Sequence, residues 1–299
     1  RAGEAAPEQP PGDGLPCRNT PPMEIGLAYG RGELRVTLPE PPAGGRARVD
    51  VLRKAEVAPL AHPEATLREG LAAPLSCAPL RTLARGRRDA VIVVSDRTRP
   101  VPNALLLPPL LDALRAGGMP PEAVTIQVAT GLHRAATPDE LREMLGAELA
   151  RTLRVVQHDA RDAAAHVDLG RTRGGLPIQI DRFFVERDLR IVTGLVEPHL
   201  MAGYSGGRKA VCPGLASAET IRVAHGPAML EGHVGAGIVS GNPLHEALLE
   251  AAQRVGVHFA VNVALDRERR VAGLFCGDLE VSHAEAVRFV AAESLATLD

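Results

Sequence analysis

From about residue 89 onward the chain alternates short apolar, β-branched runs with longer amphipathic stretches. The runs at 90–94, 124–128, 153–157 and 189–195 are too short for buried helices and are rich in Val and Ile, so they predict strands. Between them, 104–116 predicts a helix in which Pro108 and Pro109 limit where the regular part can begin. Thr137-Pro-Asp-Glu140 is a capping box with Pro at the first helical position, so a helix should run to about Leu145. Further on, 244–255 predicts a helix, 258–265 and 270–275 a β-hairpin around Asp266-Arg-Glu268, and 280–296 a final helix. Apolar strands alternating with helices imply an α/β fold, a mostly parallel sheet with helices on both faces.

The first part of the chain is different. Residues 1–22 are rich in Pro, Gly and charge and are expected to be a disordered leader, with Met23 a candidate natural start. Residues 23–58 predict short strands, with 24–28 and 33–38 flanking Gly30-Arg-Gly32 as a hairpin. Residues 63–86 look largely helical. The expected division is a leader at 1–22, an α/β cofactor-binding domain at 23–256, and a hairpin plus helix at 257–299 that starts or links to a second domain.

Composition narrows the function. The 299 residues are 45% hydrophobic with a formal net charge of −2, so no basic field exists to hold nucleic acid or an anionic membrane. Aromatics are 2% and Trp is absent, which leaves little for base stacking. No apolar run reaches the roughly 18 residues of a membrane span. Cys17, Cys77, Cys212 and Cys276 form no CxxC pair, which points to a reducing cytoplasm rather than a disulfide framework. Among 34 Lys and Arg residues only Lys54 and Lys209 are lysines. Arg cannot lose its proton and is no nucleophile, whereas an amine can be one, so Lys209 stands out in its Gly-rich setting.

In parallel sheets ligands bind beyond the carboxyl ends of the strands. The four predicted strands are followed there by Ser95-Asp-Arg-Thr-Arg-Pro100, Thr130-Gly-Leu-His-Arg134, His158-Asp159, and Glu197-Pro-His199 with the Gly-rich loop Ala202-Gly-Tyr-Ser-Gly-Gly-Arg-Lys209. Their convergence predicts a shared site. The loop is not a P-loop: counting from Gly203, Arg208 stands at the required second Gly and Ala210 at the required Ser/Thr. Gly203-Tyr-Ser-Gly-Gly207 does satisfy the nucleophile-elbow pattern, and Asp278 and His283 would complete the order Ser–Asp–His, so a serine hydrolase on Ser205 is one alternative. Successive glycines also let backbone amides approach a phosphate, Lys209 could attach covalently to an acyl or carbonyl carbon, and His133 and His199 could serve as acid and base. His225 could be a single metal ligand if a bound cofactor supplies the remaining coordination. Cys212 and His245 fit structural roles, Tyr204 fits either packing or the site, and His62, His166, His233, His258 and His283 lack a supporting constellation.

Taken together, Ser95–Pro100, Gly131-Leu-His-Arg134, Glu197-Pro-His199, Pro198 through Lys209, and His225 resemble the nickel-pincer-nucleotide-dependent lactate racemase family, from about residue 24 to the end. The resemblance implies a pyridinium-3,5-bisthiocarboxylic acid mononucleotide tethered to Lys209. Nickel would be held by its sulfur, carbon and sulfur, with His225 as the fourth ligand. It further implies that His133 and His199 are the two acid/bases, and that Asp96, Arg97, Thr98 and Arg99 hold the cofactor. The implied reaction is racemisation or epimerisation of a lactate-like 2-hydroxy acid. One histidine takes the hydroxyl proton while the Cα hydride passes to the cofactor and returns to the other face. A guanidinium such as Arg99 would steady the alkoxide or carboxylate. The expected partners are that substrate and the cofactor-biosynthesis enzymes. Family members continue into a second domain that closes over the cofactor, expected to be truncated or absent here. A cofactor-carrying domain inactive without it is therefore a further alternative.

Overall fold

Strand formation in this chain follows its β-branched runs, and a computed structural model places those runs side by side. It describes residues 24–30, 32–38 and 55–294; the expected leader at 1–22 lies outside the described residues. These fall into two compact units, divided at Leu52 and Arg53. In the first, β1 (Glu24–Tyr29) and β2 (Gly32–Thr37) pair antiparallel as the predicted hairpin, with Leu27 opposite Leu34.

The second unit begins with α1 (Pro63–Ala72), α2 (Leu80–Ala84), β3 (Ala90–Ser95) and α3 (Asn103–Ala116). Next come β4 (Val124–Ala129), α4 (Pro138–Leu145), α5 (Ala147–Thr152) and β5 (Arg154–Gln157). An antiparallel pair, β6 (His166–Arg171) and β7 (Pro177–Asp181), leads through α6 (Arg182–Val185) to β8 (Leu189–Leu195). The short strands β9 (Pro198–His199) and β10 (Ala202–Tyr204) follow, then α7 (Ala218–Ala224), α8 (Pro227–Leu230) and β11 (Gly235–Ala236). The unit closes with α9 (Pro243–Val255), β12 (Phe259–Leu265), β13 (Val271–Gly277) and α10 (Leu279–Ser294).

Six strands form one sheet in the order β13-β12-β8-β3-β4-β5, parallel except for the edge strand β13. Side chains alternate between its faces. Ile92 and Val94 pack with the leucines of α1 to α3, whereas Val91 and Val93 pack with the 210–216 segment, α7 and α9. Both faces are thus covered by helices, which is why the strands are apolar throughout rather than alternating.

The chain runs outward from β3 to β4 and β5, then returns to β8 on the other side of β3. This reversal opens a crevice at the carboxyl ends of β3 and β8, the place where doubly wound sheets take ligands.

One local expectation needs correcting. Pro108 and Pro109 do not delay α3, which begins at Asn103. The prolines remove two amide donors, but Leu106, Leu107, Leu110 and Leu114 are all fully buried by the helix, at roughly 1.5–3 kcal/mol each. The predicted capping box is present, with Thr137 and Glu140 each accepting the other's backbone N–H.

Candidate active site

The carboxyl ends of β3, β4 and β8 surround a cavity of about 560 Å³ whose lining includes Asp96, Arg99, His133, His199, Lys209 and His225. The Gly-rich loop forms its floor. Ser205 ends the β10 turn, donating its hydroxyl proton to the Leu195 carbonyl (2.7 Å) and accepting from the Glu197 amide (3.0 Å). Gly207 then turns with φ +48°, where a Cβ would lie 2.9 Å from the His283 ring, so only glycine fits. A short 3₁₀ turn, Gly207–Ala210, carries Lys209 back to the cavity wall.

His133 and His199 are held in different ways. The Nδ1 of His133 lies 2.7 Å from Asp96 Oδ2, and Thr98 donates its hydroxyl to the other carboxylate oxygen at 2.7 Å. Because a carboxylate only accepts, Nδ1 carries the proton and Nε2 is left to act as a base. The Nδ1 of His199 instead accepts the backbone amides of Met201 and Ala202, both at 3.2 Å, while its Nε2 is 2.8 Å from the Lys209 amine. A neutral imidazole that accepts at Nδ1 must donate at Nε2. Lys209 therefore accepts with a lone pair, so its amine is neutral in this arrangement.

The electrostatics agree. Burial, followed by the guanidinium charges of Arg208 and Arg99, pushes Lys209 down to about 7. Burial, followed by Lys209 and Arg99, pushes His199 down to about 4. Arg99 itself is loosely held, with Nη1 3.4 Å from Glu197.

His225 caps the end of α7 and donates Nδ1–H to the Ile221 carbonyl at 2.8 Å, leaving Nε2 as its lone-pair nitrogen. Metal-binding imidazoles are commonly oriented by such a bond. Among the described residues no group of three or more His, Cys, Asp or Glu could hold a metal. His225 and the half-buried Lys209 amine line the same cavity.

Not every candidate reaches the cavity. Arg97 lies 3.3 Å from Glu140, whose carboxylate also takes a bidentate bond from Arg134, and Thr98 turns its hydroxyl to Asp96. Neither side chain is among those lining the cavity. The end of β5 does not contribute either: His158 is buried between Asp181 (2.8 Å) and the Ala216 carbonyl (3.0 Å). Tyr204 packs against Val196, Ala264 and Val290, and Cys212 is a fully buried thiol pushed up to about 12 by burial.

The hydrolase alternative lacks its geometry. The Ser205 hydroxyl is committed to Leu195, and His283 Nε2 lies 2.8 Å from Arg208 and approaches the Ser205 carbonyl rather than its hydroxyl. Asp278 caps α10 through the amides of Glu280 and Val281. Sequence reasoning missed Asn262, whose Oδ1 accepts the Gly207 amide at 2.8 Å. Its signal was a lone amide inside the apolar run Phe259–Leu265.

A family model described as the lactate racemase N-terminal domain matches residues 29–237. The chain is 32% identical over 267 residues to a lactate racemase of Thermoanaerobacterium thermosaccharolyticum, covering 89% of this chain and 62% of that protein. It is 36% identical over 226 residues to one of Lactiplantibacillus plantarum, covering 75% and 53%. The solved lactate racemase apoprotein of T. thermosaccharolyticum superposes with a TM-score of 0.81 at 31% identity, over 91% of this chain and 63% of that one. A Thermotoga maritima protein shares the fold, with a TM-score of 0.68 at 23% identity over 82% of this chain and 62% of that one. The chain thus spans between about half and two thirds of the length of these relatives. Among the described residues no helix is long and apolar enough to cross a membrane.

Proposed function

The chain belongs to the lactate racemase N-terminal domain family, and on that premise we propose that it carries a nickel-pincer nucleotide on Lys209 for racemising or epimerising a lactate-like 2-hydroxy acid. The observation that carries this reading is the half-buried Lys209 amine, held 2.8 Å from His199 Nε2 at the cavity wall. A protonated lysine could not form a bond to an acyl-type carbon. His225, with Nδ1 already bonded, would offer Nε2 to nickel. When bound, the nucleotide would supply the site that accepts and returns the substrate's Cα hydride.

The rest is work for this chain's own groups. His133, kept in one tautomer by Asp96, would take the substrate hydroxyl proton at Nε2. His199 would do the same for the opposite enantiomer only after a change of tautomer, because its Nε2 carries the proton while Nδ1 accepts the Met201 and Ala202 amides. Arg99 and Arg222 both line the cavity, and either guanidinium would hold the substrate carboxylate. Asp96, through His133, places the base rather than touching substrate.

Co-expression with the cofactor-making enzymes should yield nickel and a mass adduct on Lys209, with neither on a Lys209→Ala chain. An adduct that survives in Lys209→Ala would sink the tether assignment. Exchange of Cα deuterium in a 2-hydroxy acid would then separate an active enzyme from a carrier that loads without turning over.

A further inference from the structure

Arg208 is 1% exposed, and no carboxylate among the described residues offsets its charge; burial alone acts on it, pushing it down to about 9. Its Nη2 donates to the carbonyls of Ala202 (2.7 Å) and Tyr204 (3.0 Å), its Nη1 to His283 Nε2 (2.8 Å), and its Nε meets no partner. All these partners are neutral. A buried charge without a counter-ion is costly, and the same carbonyls could be held by an uncharged donor. The charge therefore calls for its own explanation.

The next residue is Lys209, on the same 3₁₀ turn. We propose that Arg208 is a positioning residue whose fixed, unpaired charge beneath the Gly-rich loop keeps the Lys209 amine unprotonated, and so nucleophilic, before any cofactor arrives. In a poorly hydrated wall a neighbouring cation disfavours a second one, and after burial Arg208 is the largest influence that lowers Lys209. The hydrogen bonds around His199 demand the same neutral amine independently. Other groups around Lys209 do less. Arg99 is paired with Glu197, and Cys212, just beyond the turn, stays a thiol. Across the cavity Asp96 is engaged by His133, Arg222 is paired with Glu219, and His225 is bonded to a carbonyl. The purpose of this neutrality rests on Lys209 being the tether; the electrostatics do not.

The test uses the unloaded protein. Trace acetylation with acetic anhydride over a pH series, read by mass spectrometry of the Lys209 peptide, should give half-maximal labelling at about 7. In Arg208→Met the midpoint should rise by about one unit or more, so labelling at pH 7 falls about fivefold or more. His283→Glu sets a carboxylate against the same guanidinium while keeping the Ala202 and Tyr204 bonds, and should shift the midpoint in the same direction. His283→Gln should leave it in place. A purely structural role would lower the Tm of these variants without moving the midpoint. An unchanged midpoint in folded Arg208→Met, or in His283→Glu where Arg208→Met fails to fold, overturns the proposal. Failure of the tether reading would look different: midpoints would still shift, but co-expression would leave no adduct on Lys209.

Discussion

His133 and His199 line one cavity from opposite sides, yet their surroundings are nearly inverse. The ring of His133 is 58% exposed and leans on a carboxylate. That of His199 is half-buried among cations, with its Nδ1 on two backbone amides and its Nε2 on an amine. A proton arriving on His133 is compensated at once by Asp96. One arriving on His199 would join Lys209, Arg99 and Arg208 in a desolvated corner. The two histidines are therefore unequal: His133 offers a lone pair at Nε2, whereas His199 offers a proton there for as long as its Nδ1 accepts the two amides.

The comparison breaks most visibly at Asp96. Asp96→Asn removes the acceptor that fixes the His133 tautomer and should lower the rate of Cα deuterium exchange in loaded enzyme by about 10²–10⁴-fold, while the His199 titration stays put. A loss confined to KM would overturn the assignment. Next in size is the effect of Lys209 on His199. In Lys209→Met, NMR titration should show the His199 midpoint climbing from about 4 towards its ordinary value of 6.5; a midpoint that stays would mean that Lys209 does not set it.

A pH effect on stability follows from the buried and half-buried histidines. The folded values of His199, His245 and His283 lie below the ordinary one, at about 4, about 4 and about 3, each from burial first. The unfolded chain therefore takes up protons that the folded chain refuses, and stability rises with pH through the window from these values to 6.5. Denaturation midpoints should fall steadily as pH drops below 6.5, and less steeply in Lys209→Met. The smallest effect is expected at Glu197→Gln. It frees Arg99 from a pair exposed on both sides and should change stability by about 0–1 kcal/mol, with substrate affinity the more sensitive readout.

Much of this was legible in the chain itself. The apolar runs marked β3, β4, β8 and β12 because parallel strands covered on both faces leave no polar alternation. Thr137 and Glu140 announced α4 because capping is local chemistry. What failed was anything set by distant partners. Arg97 stands in the same motif as Asp96, but the capping carboxylate of Glu140 draws it away from the cavity. His158 follows a strand as His133 does, yet β5 is the outer strand, beyond β4 from the crevice.

By itself the sequence determined the alternating architecture, the Gly-rich loop and the set of reactive side chains at the strand ends, since these depend on local pattern and residue chemistry. The tertiary structure decided which of them meet. The return of the chain from β5 to β8 opens the crevice. Asn262 and His283, from the far end of the chain, fix the loop from behind. The backbone amides after His199 dictate its tautomer, and through it the state of Lys209. Protonation depends on burial and on neighbours distant in sequence, and no linear pattern encodes either.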